Sequence, residues 1–236
     1  MILAAGSLCR RELVRFFRQR SRVIGALGTP IIFWLLIGSG FSYLGYLFPG
    51  TIVQILLFAS IFSTISIIQD RQEGFLQGVL VAPVPRAAIV LGKVLGGTGI
   101  ALIQGLVFLA LAPAVGIRPS LPALLGAVGV MALVAFGLTS LGVLLAWRFD
   151  SVQGFHAMMN LFLIPMWLLS GAVFPSEKAV PWVRGAMVAN PLSYGVSALR
   201  QVLTGEGTFL SLPLSLGVTA AFAALMFALA AASARR

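Results

Sequence analysis

The chain has 236 residues, of which 59% are hydrophobic and 9% charged, against roughly 25% charged in ordinary soluble domains. That excludes a water-soluble globular domain, because one core of this size cannot hide so much apolar surface. The net charge of +10 does not indicate nucleic acid either, since the basic residues flank apolar runs and are not gathered on a polar domain.

In chain order, Met1 to Leu8 is apolar but short, and its arginines follow it where a secretory signal would place positive charge before, so no cleaved signal is read. Cys9 is the single cysteine, which leaves no disulfide within the chain and no cysteine metal cluster. Leu13, Phe16 and Phe17 then share one helical face, while Arg11, Arg15, Arg18 and Arg22 recur on another. Residues 1–22 therefore predict an amphipathic helix in the membrane interface, apolar side in lipid and arginines among headgroup phosphates.

A helix crossing hydrocarbon needs roughly 20 apolar residues. Six runs meet that need: Val23 to Phe41, Pro49 to Ile68, Ile89 to Val115, Pro122 to Trp147, Gln153 to Val173 and Leu210 to Ala232. The expected fold is an all-α membrane protein of six transmembrane helices in one domain. Gly92 and Gly96 form a small-xxx-small pair suited to close helix approach. With the N-terminus inside, 12 of the 16 Lys and Arg fall in cytoplasmic segments, which by the positive-inside rule puts both termini in the cytoplasm.

Residues 69–88, between spans two and three, open with Asp70, Arg71 and Glu73 and continue with Phe75, Leu76, Val79 and Leu80 at helical spacing before Pro83. A short amphipathic helix on the cytoplasmic face is predicted, able to lie on lipid or in a partner's groove. Residues 174–209, between spans five and six, carry Pro175, Pro181 and Asn190-Pro191, then Leu192, Val196, Leu199 and Leu203 on one side of a helix that Gly205 ends. At about a dozen residues that helix is too short to span. An interfacial or re-entrant helix follows, with Arg200 reaching headgroups or a buried partner.

The six acids, Glu12, Asp70, Glu73, Asp150, Glu177 and Glu206, all fall outside mid-membrane positions on this map. An ion-coupled carrier ordinarily binds its driving ion at an ionisable or densely polar site within the spans, so energy is expected from elsewhere. The chain cannot supply it from ATP, because Gly92-Lys93 is followed by Val94 and no phosphate loop exists. An intramembrane serine protease fails as well: Ser170 and the single histidine, His156, lie on one predicted helix about 21 Å apart. A secondary carrier and a non-transporting scaffold remain the readings from other classes.

Three stretches resemble the type-2 permeases of ATP-binding-cassette exporters. They are Arg71-Gln72-Glu73-Gly74 through Pro85-Arg86 with Leu91-Gly92-Lys93, then Leu169-Ser170-Gly171-Ala172-Val173-Phe174-Pro175, and Asn190-Pro191-Leu192-Ser193-Tyr194 followed by Ala198-Leu199-Arg200. Their order and the six-span outline cover nearly the whole chain. The resemblance implies a coupling helix at Arg71, Glu73, Gly74, Phe75, Leu76, Gln77 and Leu80 that docks on a separate ATPase subunit. It implies an outer helix pair containing Asn190, Pro191, Tyr194 and Arg200. It also implies two permease copies facing each other through spans two and five, with Phe58, Phe62, Thr64, Met159, Asn160 and Leu163 as path-lining candidates. No catalytic residue, metal or cofactor is expected in this chain; ATP and Mg belong to two copies of the ATPase. The cargo implied is hydrophobic or amphipathic, such as a drug, natural product or lipid-like molecule, with a polysaccharide or lipid-linked glycan as the alternative.

Overall fold

The computed structural model describes residues 2–18, 28, 30–36, 38, 43–75, 78 and 85–233, and the regular structure among them is entirely helical. α1 (Ile2–Arg18) comes first. α2 (Leu44–Ser63) and α3 (Ile65–Gln72) form one helical run of 29 residues, interrupted only at Thr64. Then follow α4 (Arg86–Leu109), α5 (Leu121–Ala146) and α6 (Val152–Leu168). The short pair α7 (Pro181–Ala189) and α8 (Pro191–Thr204) precedes the last helix, α9 (Leu212–Ser233).

Four of these are long and apolar enough to cross a bilayer: Leu44–Gln72, Arg86–Leu109, Leu121–Ala146 and Leu212–Ser233. The protein is an all-α, membrane-embedded bundle. Of the first expected span, residues 30–36 are helical and much of the rest lies outside the described residues. The second span is longer than its apolar run, reaching from Leu44 to Gln72, because the charges that end the run find partners and need not leave the helix. The fifth is shorter than expected. It stops at Leu168, and Gly171 beyond it takes φ +78°, the left-handed conformation in which helices commonly finish.

The run α2–α3 lies at the centre, packed against α4 and α5, while α9 and α8 close on α5 and α1 lies along α4. Phe48 of α2 stacks on Phe108 of α4 with ring centroids 5.0 Å apart, and Trp34 meets both edge-on. Buried tryptophans need a partner for the indole N–H. Trp34 donates to the Leu44 carbonyl at 3.1 Å, and Trp167 of α6 donates to the Gly50 carbonyl at 3.0 Å. Leu161, Phe162 and Ile164 on α6 and Leu214, Leu225 and Leu229 on α9 face outward, as apolar side chains do against lipid.

Candidate functional site at the basic end of the bundle

α1 reaches its place because α4 has no side chains in the way. A Cβ on Gly92 would sit 2.8 Å from Leu8 Cβ and 2.9 Å from the Ala5 carbonyl, and one on Gly96 would sit 2.8 Å from Glu12 Cβ. Small residues let two helix backbones come this close. Between the two glycines on α4, Lys93 turns into the contact, its Nζ 2.6 Å from Glu12 Oε1, 3.3 Å from Ser66 Oγ and bonded to Asp70 Oδ2.

Asp70, on α3, is wholly buried. Arg11 grips it with two parallel bonds of 2.7 and 2.9 Å, and Arg15 adds a third of 2.8 Å. A buried carboxylate is tolerated only when paired and hydrogen-bonded, and the planar guanidinium suits the two-pronged contact. The hydrogen bond to Asp70 pushes Arg11 still further above its ordinary range, against the opposing effect of burial. Burial, with the Glu12 charge second, pushes the Cys9 thiol up.

The cluster extends into the segment between α3 and α4. Arg15 Nη2 lies 3.3 Å from Glu73 Oε1, and the Arg11 guanidinium sits over the Phe75 ring at 3.8 Å. Gly74 takes φ +76° between them, a conformation open to glycine and strained for most other residues. On the other side, Arg71 donates to the carbonyls of Trp147 and Phe149 and stands 3.4 Å from Asp150. Gln72 Nε2 donates to the Asp150 carbonyl at 2.8 Å. One polar corner thus gathers α1, the end of α3, the start of α4 and the α5–α6 turn.

Two expectations need correction here. Arg11 and Arg15 do not reach out to headgroup phosphates but turn inward onto Asp70. Asp70, expected in the loop that begins at residue 69, instead lies in α3 and is buried, as Glu12 is on α1, because α1 and α4 bring cations to them. Opposite charges spaced along a sequence do not announce which helices meet, so only the Gly92–Gly96 pair signalled this junction.

Of the residues expected to couple, Arg71, Glu73, Gly74 and Phe75 fall in this corner, whereas Leu76, Gln77 and Leu80 lie outside the described residues. The six path candidates occupy α2, α6 and the Thr64 turn. Phe58 and Phe62 are half-buried, with ring centroids 5.8 Å apart, and Phe62 lies 4.6 Å from the His156 ring. Thr64, Met159 and Leu163 are buried within the single chain and Asn160 is exposed. Ser170 donates to the Trp167 carbonyl at 2.6 Å, a local helix-end bond.

At the far end, Asn190 joins the α7–α8 segment to α6. Its Oδ1 accepts from Leu192 N at 3.0 Å, capping α8, while Nδ2 donates to the carbonyls of Met166 and Leu169 at 2.6 and 3.0 Å. Pro191 follows at the first helical position, where the missing N–H costs nothing. Tyr194 donates to the Val188 carbonyl at 3.0 Å, holding α7 against α8. Arg200 chooses the buried partner of the two foreseen, donating to the carbonyls of Tyr46 and Gly171 at 3.2 Å.

No group of His, Cys, Asp or Glu among the described residues is arranged to hold a metal ion. The profile of the ABC-2 type transporter family matches residues 4–204, from α1 to the end of α8. The chain belongs to the ABC-2 type transporter family. It is therefore a transport permease and not an enzyme, and membership implies pairing with a nucleotide-binding ABC ATPase subunit. Nodulation protein J of Rhizobium leguminosarum bv. viciae is 26% identical over 234 residues, covering 91% of this chain and 86% of that protein. The same-named protein of Rhizobium leguminosarum bv. trifolii is 28% identical over 196 residues, covering 78% and 74%. The daunorubicin resistance ABC transporter permease protein DrrB1 of Streptomyces coeruleorubidus is 27% identical over 237 residues, covering 91% and 81%.

Proposed function

We propose that this ABC-2 permease is the membrane half of an ATP-driven exporter, working as a homodimer above two ATPase subunits with both its termini in the cytoplasm. The observation that carries the reading is the polar corner itself. Glu73 and Phe75, in the segment proposed to meet the ATPase, are bound to Arg15 and Arg11, and those arginines hold Asp70 at the end of the central helix run. A push on this segment would reach α1, α3 and α4 together through short, charge-assisted contacts.

ATP binding would close the ATPase pair, move the loop from Glu73 to Leu80 and tilt the spans. In this reading residues 69–88 form the coupling loop, and α7 and α8 cap the exit as a re-entrant pair. Phe58, Phe62, Thr64, Met159, Asn160 and Leu163 stand beside the path between copies. The cargo would be a polysaccharide or lipid-linked glycan, for which the recurrent similarity to nodulation protein J speaks. An amphipathic drug, natural product or lipid-like molecule is the second reading, for which similarity to a daunorubicin resistance permease speaks.

Replacing Glu73 by Gln or Phe75 by Ala in the reconstituted complex should leave ATP hydrolysis running while export falls. Intact export in both variants would refute the coupling role. Uphill transport by the permease alone, driven by an ion gradient without nucleotide, would refute the exporter reading itself.

A further inference from the structure

At the end of the bundle opposite the ion cluster, about 36 Å along the α2–α3 run at 1.5 Å per residue, a cavity of about 80 Å³ lies between α8, the turn after α6 and the chain beyond Gly205. Arg200 lines it and is only 8% exposed. Its guanidinium stacks on the Tyr46 ring at 3.8 Å, and Nη2 donates to two backbone carbonyls. Its Nε–H is closed off from solvent and has no acceptor, and among the described residues no carboxylate forms an ion pair with the guanidinium.

The neighbouring polar groups bond one another and nearby carbonyls, not the guanidinium. Gln201 Nε2 donates to Ser197 Oγ and Thr208 Oγ1 at 2.9 and 3.0 Å, Thr208 is within 2.9 Å of the Leu210 carbonyl, and Ser193 Oγ donates to the Leu169 carbonyl. These bonds knit α8 to the following chain and leave Arg200 as the buried cation facing the cavity. Two further lining residues, Glu177 and Glu206, are exposed. The lining therefore has positive charge in its depth and negative charge where it meets solvent.

A simple anion would be drawn to Arg200 but repelled by the two carboxylates, and a simple cation would meet the reverse. We propose that the cavity binds a zwitterionic head group, with acidic oxygens against Arg200 and an ammonium group beside Glu177 and Glu206. The volume equals that of two or three waters at about 30 Å³ each, room for one phosphoryl or carboxylate group while the ammonium stays at the exposed acids. An ethanolamine phospholipid and a soluble amino-phosphate share this chemistry. The site is independent of how transport is powered.

The test uses the full chain purified in a non-ionic detergent and native mass spectrometry, with phosphatidylethanolamine, phosphatidylglycerol and free phosphoethanolamine as probes. The wild type should retain phosphatidylethanolamine over phosphatidylglycerol by about tenfold, the scale of one charged contact. Glu177→Gln with Glu206→Gln, both at exposed positions, should reverse that preference, and Arg200→Lys should weaken binding of both lipids. Binding of free phosphoethanolamine as tight as that of the lipid would assign the site to a soluble amino-phosphate; retention of the lipid alone would assign it to the membrane. Equal retention of the two lipids by the wild type, or an unchanged preference in the double glutamine variant, would overturn the proposal and leave a cavity holding water.

Discussion

Lys93 Nζ stands 2.6 Å from Glu12 Oε1, an ion pair that fastens the N-terminal helix to α4 across 81 residues of sequence. Both side chains are 5% exposed, and the same ammonium also binds the fully buried Asp70. Deprived of Lys93, two carboxylates would lose a partner in a place where water cannot replace it. Lys93→Met should therefore cost about 3 to 5 kcal/mol, the range for breaking a buried pair from one side. Glu12→Gln added to it should restore part of the loss, because Glu12 is the carboxylate left more poorly paired while Asp70 keeps Arg11 and Arg15. Thermal unfolding of the solubilised protein measures both; an unchanged midpoint in the single variant would contradict the pairing.

Gly92 and Gly96 leave no room for a side chain against Leu8, Ala5 and Glu12. Gly92→Leu should force α1 away from α4 at a cost of about 1 to 3 kcal/mol, as overpacking does. Gly129, whose Cβ would meet nothing within 4 Å, serves as the control, and its replacement by Leu should leave the unfolding midpoint nearly unaltered.

Cys9 reports on the same contact. Burial and then Glu12 hold its thiol above the ordinary value, and the thiolate is the reactive form. Maleimide labelling of the native protein at pH 7.5 should be slower than that of the unfolded chain and should keep rising with pH beyond about 8.5, the ordinary thiol value. Glu12→Gln removes the charge that disfavours the thiolate, so labelling at pH 7.5 should quicken.

Asn190 performs two tasks with one amide, capping α8 and tying it to the end of α6. Asn190→Ala should cost about 1 to 2 kcal/mol through loss of the cap alone. Asn190→Asp keeps the acceptor for Leu192 N but points a carboxylate at two carbonyls, so its unfolding midpoint should fall below that of the Ala variant.

Arg71 links the end of α3 to the turn before α6 through the carbonyls of Trp147 and Phe149. In the reconstituted complex, Arg71→Gln should lower export per ATP hydrolysed while leaving lipid-facing residues and assembly undisturbed. Unaltered stoichiometry would show that the α5–α6 turn does not share in the motion.

Much of this architecture was legible in the chain. Apolar runs located α4, α5 and α9 to within a few residues at most boundaries, since length and charge content alone decide what lipid accepts. Asn190-Pro191 and Gly205 marked the ends of α8 for local reasons, a side-chain cap and a left-handed stop. The close approach of α1 was half visible in Gly92 and Gly96, which showed that some helix comes near without showing which.

What sequence by itself determined is the solvent: a chain so apolar, with so few charges, belongs in a bilayer as helices, because each backbone polar group there must be satisfied within its own segment. What only tertiary structure decided is where the few charges go. Periodicity assigns a side chain to a face, but the partner that makes burial of Asp70, Lys93 or Arg200 affordable comes from another helix, tens of residues away. Electrostatic pairing depends on distance in space, and that distance exists only once the helices have packed.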